Sequence, residues 1–322
     1  MYKEHKIGVV VPAHNEQELI EKTLAGIPSY VDRIYAVDDA STDNTGEVIK
    51  EFQNKNKDKR IVFTRHERNK GVGAAIVTGY KKAREDGIDI AVVMAGDNQM
   101  DPEQLPNLLE PIIGGKADYT KGNRLLSPEY RRGMTKWRFL GNSLLTLLTK
   151  IGSGYWQLMD PQNGYTAITK NALERIPLDS VYPWYGYCND LLVKLNVYGF
   201  RVVDIVMPAK YGRERSEIKY SVYIPKVSWL LLKAFFWRLK VKYVVFSFHP
   251  LVLFYFFGIV LTPLGFLGLL YSLYYKFAQG GSLFVRGVLS FLLFILGVQF
   301  LLFAMLFDMQ VNERESRSER WD

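Results

Sequence analysis

The stretch Ile7-Gly8-Val9-Val10-Val11-Pro12-Ala13-His14-Asn15-Glu16 decides the fold class. Its apolar run has no polar interruption, as in a strand buried on both faces of a parallel sheet. Asn15 with Glu18 has capping-box spacing and predicts a helix through about Ala25. Further along the chain, strand signals fall at 33–37, 61–64, 88–94 and 117–122, and helix signals at 45–52, 73–84 and 102–113. This βαβα alternation predicts a doubly wound α/β domain. Beyond 123 the pattern loosens. A basic stretch from Arg124 to Arg138 precedes an apolar helix at 140–151. A polar turn at 160–165, a helix at 189–197 and a strand at 201–206 follow.

The charge distribution divides the chain. Residues 1–220 hold 31 Lys and Arg against 28 Asp and Glu, so they are nearly balanced although the whole chain of 322 residues carries +8. That excludes a nucleic-acid partner recognised by bulk charge. Residues 221–307 contain no Asp or Glu, and Tyr243 to Tyr275 contain no Lys or Arg. An entirely soluble protein is therefore excluded. The single cysteine excludes an internal disulfide. The first six residues have no apolar core of the kind a secretion signal needs.

Residues 221–249 mix Trp229, Phe235, Phe236, Trp237 and Tyr243 with Lys226, Lys233, Arg238, Lys240 and Lys242. Rings and cations together suit the headgroup layer of a bilayer, the alternative being a buried helix. Residues 251–275 and 287–307 are then uncharged runs of about 37 and 31 Å as helices, each long enough to span. The short link between them predicts a transmembrane hairpin over 250–307. The domain at 1–220 and the tail at 308–322 then lie on one side. The cations before the first span place that side in the cytosol, in a multi-pass membrane protein.

Four strand ends carry candidate chemistry. Asp38 and Asp39 close the second strand, where two carboxylates can accept from a nucleobase and a ribose. Ser41, Thr42 and Asp43 read as caps of the next helix. The turn after the first strand lacks the glycines of a dinucleotide fold, and no P-loop exists, which argues against a dehydrogenase and a P-loop enzyme. The run Gly71-Val72-Gly73-Ala74-Ala75 reads as close packing more than phosphate binding. After the fourth strand, Asp97 is the candidate for Mg²⁺ or Mn²⁺ with Gln99 second, and Asp101 before Pro102 reads as a helix cap.

These motifs resemble those of family 2 glycosyltransferases of the GT-A fold. Pro12, His14, Asn15 and Glu16 lie in a segment similar to the family's P-x-x-N-E opening. Asp38 to Asp43 resemble its D-D-x-S-x-D motif, Gly71 falls in its N-x-G-x-x-x-A region, and Asp97 falls on the last Asp of D-x-D. The interfacial segment and hairpin narrow the resemblance to dolichyl-phosphate mannose synthases and polyprenyl-phosphate glycosyltransferases. The first Asp of D-x-D is Ala95 here, so metal dependence is expected to survive with looser affinity.

The resemblance implies inverting transfer of a monosaccharide from a UDP-sugar or GDP-mannose to polyprenyl or dolichyl phosphate on a bilayer, with a homo-oligomer left open. Asp97 and a divalent cation would hold the diphosphate. Arg124 resembles the end of the family's G-S-R strand, and Arg131, Arg132 and Arg138 are further candidates for the acceptor phosphate. Arg213 and Lys219 carry over from a donor-closing R-x-x-G-x-S-K loop, and Asp160 from a D-x-x-x-G stretch. Asp190 falls where sugar-to-sugar members keep a catalytic base. The alternatives are therefore an enzyme that extends a lipid-linked saccharide through Asp190, or an inactive nucleotide-sugar-binding subunit, for which Ala95 speaks. The absence of Q-x-x-R-W, the motif of processive polysaccharide synthases, argues against processive chain extension.

Overall fold

The computed structural model describes residues 1–125, 136–208, 220–282 and 284–318. They form two compact units, Met1–Phe235 and Phe236–Asp322. In the first, seven strands among the described residues form one mixed sheet. They are β1 (Ile7–Ala13), β2 (Arg33–Asp38), β3 (Ile61–Arg65), β4 (Ile90–Val93), β5 (Tyr119–Asn123), β6 (Thr166–Thr169) and β7 (Val202–Val206), in the order β3-β2-β1-β4-β6-β5-β7.

β1 is buried along its whole length, as its apolar run requires. Alternate side chains serve opposite faces of a strand. Val10 joins a core with Tyr35, Ile76 and Tyr80, whereas Ile7, Val9 and Val11 join another with Ile20, Leu24 and Leu108. Helices therefore cover both faces: α1 (Ile20–Gly26), α2 (Thr45–Asn56), α3 (Val72–Glu85), α4 (Leu105–Ile113), α5 (Lys136–Ser153), α6 (Lys170–Arg175) and α7 (Tyr187–Val197). α3 lies so close to β1 that a Cβ at Gly79 would stand 2.3 Å from Val10.

Two expectations are corrected. The first helix starts at Ile20, not at a capping box. Asn15 has φ +57° and points its side-chain oxygen at the Thr42 amide, 2.8 Å away, so it links two strand ends. The helix expected at 102–113 begins as a tight 3₁₀ turn, Pro102–Gln104, capped by Asp101, which accepts from the Glu103 amide.

α8 (Tyr220–Lys240) crosses the boundary between the units, and a π-helical turn, Val241–Phe246, follows it. The second unit continues with α9 (Leu251–Gln279) and α10 (Phe284–Ser318). These two pack antiparallel along small residues. A Cβ at Gly265 would stand 2.3 Å from the Phe294 backbone, and one at Gly297 would stand 2.4 Å from that of Thr262. Both helices are long and apolar enough to cross a membrane. α10 runs on to Ser318. Arg238 was read as a headgroup cation, yet it is fully buried. Its terminal nitrogens meet Asp308 at 2.8 and 2.9 Å, and Tyr243 donates to the same carboxylate at 2.6 Å.

Candidate active site

Sheet directions gather the candidate loops. β1 runs parallel to β2 and β4, while β6 runs antiparallel to both β4 and β5. β5 therefore points the same way as β1. The carboxyl ends of β1, β2, β4 and β5 and the amino end of β6 share one sheet edge, where open α/β sheets bind ligands. The chain takes a left-handed backbone there at non-glycine residues: Asn15 (φ +57°), Ala40 (+56°), Asn98 (+55°) and Asp160 (+45°). Such conformations persist only where neighbours hold them. Cross-loop bonds supply that hold: the Asn15 amide donates to Ser41 Oγ at 3.0 Å and the Glu16 amide to Thr45 Oγ1 at 2.8 Å. Pro12, buried beneath them, accepts from the Gly96 amide at 3.0 Å. Of the expected caps, Asp43 serves the Thr45 amide at 3.0 Å, whereas Ser41 and Thr42 are engaged with Asn15.

The two β2 carboxylates brace these loops from below. Asp38 is fully buried, and its Oδ1 accepts from the Ser41 amide at 2.9 Å. Arg65 Nε stands 3.2 Å from its Oδ2, a charge contact without hydrogen-bond alignment. Asp39 accepts from His66 Nδ1 at 2.6 Å, the Lys70 amide at 2.9 Å and the Gly71 amide at 2.7 Å. Its carbonyl accepts from His14 Nδ1 at 2.8 Å, which puts the proton of a neutral ring on Nδ1 and leaves Nε2 to accept from Asn69 at 3.1 Å. His66 was missed from the sequence, because nothing local ties it to an Asp 27 residues earlier. The glycine run packs closely against the loop before α7 rather than against a strand. Gly71 has φ +93° and a Cβ there would lie 2.4 Å from Pro183 O, which also accepts from the Ala74 amide.

Asp97 is half-buried, with Oδ1 accepting from the Gln99 amide at 3.0 Å. Burial pushes its carboxyl above the ordinary range, and the amide bonds only partly oppose this. A nearby cation relieves that penalty. Among the described residues no group of three or more His, Cys, Asp or Glu side chains could cage a metal. The Asp97 carboxylate, with the Gln99 amide on its Oδ1, fits a hard cation held largely by phosphate oxygens and water.

Arg124 leaves β5 at the same edge and meets Asp160, which the sequence named separately. Nε lies 2.8 Å from Oδ2 and a terminal nitrogen 3.1 Å from Oδ1. Beneath this pair, Lys121 and Asp204 stand opposite each other in the β5–β7 register and pair at 2.8 Å. Asp190 is buried at the start of α7, where it takes the Lys194 ammonium at 2.6 Å and the Tyr182 amide at 2.8 Å. Arg131, Arg132, Arg213 and Lys219 lie outside the described residues, as does the side chain of Arg138.

Comparison with known proteins bears on the family and the fold. Residues 8–176 match the sequence profile described as Glycosyl transferase family 2. The chain is 33% identical over 207 residues to UDP-N-acetylglucosamine–dolichyl-phosphate N-acetylglucosaminyltransferase of Methanococcus voltae, covering 59% of this chain and 82% of that one. It is 29% identical over 227 residues to undecaprenyl-phosphate mannosyltransferase of Micrococcus luteus, covering 67% and 88%. Among solved structures it resembles glucosyl-3-phosphoglycerate synthase from Mycobacterium tuberculosis in complex with Mn²⁺, UDP and glucosyl-3-phosphoglycerate. The TM-score is 0.54 at 19% identity, covering 74% of this chain and 81% of that one, a likeness of fold.

Proposed function

The chain belongs to glycosyl transferase family 2, and from that premise we propose that it transfers one monosaccharide, with inversion, from a nucleoside diphosphate to polyprenyl or dolichyl phosphate. The observation that carries this reading is the gathering of Asp97 and the Arg124–Asp160 pair at one sheet edge, in a chain that continues into two apolar helices. Both relatives named above are lipid-phosphate glycosyltransferases, while their sugars differ. The lipid phosphate is thus the shared part, and the sugar is left to experiment.

The loops at His14–Glu16, Asn69–Gly71 and Asp97–Gln99 form the donor side, held in place by Asp38 and Asp39. Asp97 and Gln99 would hold Mg²⁺ or Mn²⁺, which supplies charge neutralisation to the departing diphosphate. Arg124, oriented by Asp160, faces the acceptor phosphate with a planar fork suited to it. A phosphate oxygen is already anionic at neutral pH, so it attacks the anomeric carbon without a general base. That leaves Asp190 to its ion pair with Lys194. Arg131, Arg132, Arg138, Arg213 and Lys219 remain proposed phosphate contacts. The organisation proposed is a transferase domain over 1–220, an interfacial segment over 221–249 and a hairpin over 250–307, with the catalytic unit in the cytosol.

The test is a donor panel. Membranes containing the full chain are given polyprenyl phosphate and labelled UDP-sugars or GDP-mannose, with and without a chelator. Label should enter the lipid phase with one donor class and depend on the divalent ion. Label entering only a preformed lipid-linked saccharide would replace this reading with the saccharide-extending one.

A further inference from the structure

We infer that Asp204, on the edge strand β7, is a positioning residue for Arg124, with Lys121 as its buried counter-charge. The inference rests on the reading of Arg124 as the acceptor-phosphate contact. Directly opposed residues on neighbouring strands project to one face, and so does the residue two further along. Lys121 and Asp204 are opposed, and Asn123 is the residue two further along β5. Asp204 therefore receives both: Lys121 Nζ at 2.8 Å on Oδ1 and Asn123 Nδ2 at 3.0 Å on Oδ2.

From this carboxylate two arms reach Arg124. Asn123 turns its own oxygen to the Leu125 amide at 3.1 Å, so the residues on either side of Arg124 are tied together. The other arm passes through the loop before β6. Asp204 Oδ2 accepts from the Met159 amide at 2.6 Å, and Lys121 Nζ donates to the Met159 carbonyl. The next residue is Asp160, held at φ +45°, whose carboxylate takes the Arg124 amide at 3.1 Å and grips its guanidinium. Backbone and side chain of Arg124 are thus both fixed by contacts that converge on Asp204.

An ion pair with Lys121 1% exposed carries a desolvation cost that an apolar pair of the same volume would avoid. Packing alone does not call for it. What an apolar pair cannot do is hold the Met159 amide and carbonyl and the Asn123 carboxamide at once. A carboxylate with about four acceptor sites can hold its share of them.

The experiment uses the full-length chain in membranes, with Asp204→Asn and the double variant Lys121→Met/Asp204→Leu. The double variant removes both charges with side chains of similar branching and leaves no buried charge unpaired, so it guards against a simple loss of folding. Two readings are taken. One is the rate at which phenylglyoxal modifies Arg124, followed by peptide mass spectrometry. The other is KM for polyprenyl phosphate against KM for the nucleotide sugar. Both variants should raise Arg124 modification and the lipid-phosphate KM by about tenfold, the coupling expected within one bonded network. The nucleotide-sugar KM should stay within about twofold. Unchanged Arg124 modification in both variants overturns the inference, as does a parallel rise of both KM values. Faster modification of Arg124 upholds the network even where the wild-type chain proves to use a different acceptor, a result that would fall on the proposed function alone.

Discussion

Arg124 and Asp160, 36 residues apart, form a two-point pair, with Nε 2.8 Å from one carboxylate oxygen and a terminal nitrogen 3.1 Å from the other. The Asp160 side chain is 4% exposed and that of Arg124 is 33% exposed, so the acid is the fixed partner and the base the presented one. Asp160→Asn keeps a residue type that tolerates φ +45° but loses the charged grip. The fold should persist while the lipid-phosphate KM rises by about tenfold, the worth of a hydrogen bond to a charged group. Steady-state kinetics with each substrate varied in turn checks this, and an unchanged KM contradicts it.

Asp97 is the carboxylate assigned to the metal-diphosphate unit. Asp97→Ala should lower the transfer rate by at least about 10²-fold, the usual scale for removing a group that stabilises developing charge. It should also flatten the dependence on Mn²⁺ or Mg²⁺. Rates measured across a metal titration decide the matter. A variant as fast as wild type, or a wild type indifferent to excess chelator, would remove Asp97 from this role.

Cys188 is buried at the start of α7, and its thiol is pushed up to about 11 by burial. The thiolate is the reactive form. At pH 8 the native chain should therefore resist iodoacetamide and react only after denaturation. Quantitative labelling of the native chain would show that α7 opens readily.

Asp58 and Arg60 pair at 2.7 Å in the turn before β3, with side chains 14% and 27% exposed. The hydrogen bonds from Arg60 hold the Asp58 carboxyl below its ordinary range. A depressed acid contributes stability above its unfolded value, about 3.9, and loses it as pH falls through the lower folded value. Asp58→Asn should therefore lower Tm by about 2–4 °C at pH 7. The gap to wild type should narrow in acid, as pH falls below the unfolded value and through the lower folded one. Thermal unfolding of the full chain in detergent at pH 7 and in acid measures it. A gap independent of pH would mean that the charge on Asp58 contributes nothing.

What could be read from the sequence was what depends on neighbours in the chain. The run Ile7–Val11 declares a buried strand because burial on both faces demands apolar residues at every position. Asp101 before Pro102 declares a helix start for an equally local reason. Asn15 misled because capping-box spacing is only three residues long, while its actual partner, Thr42, comes from another strand end. Strand β6 has four residues and no alternation to betray it. At the candidate site, motif position names Asp97, Arg124 and Asp160 one by one, but not the pairing of Arg124 with Asp160. The Lys121–Asp204 pair spans 83 residues, and only the parallel register of β5 and β7 brings it together. His66 is hidden for the same reason, since its bond to Asp39 depends on where β3 ends relative to β2.

The proposed function turns on a lipid phosphate as the acceptor. The most direct measurement follows labelled sugar from the nucleotide donor into the organic phase of membranes supplied with polyprenyl phosphate, and then treats the product with mild acid. A sugar joined through a single phosphate is released as free sugar, and that release is the expected outcome, with Arg124→Ala forming little product. No lipid product with any UDP-sugar or GDP-mannose, or one whose sugar withstands mild acid, would contradict it.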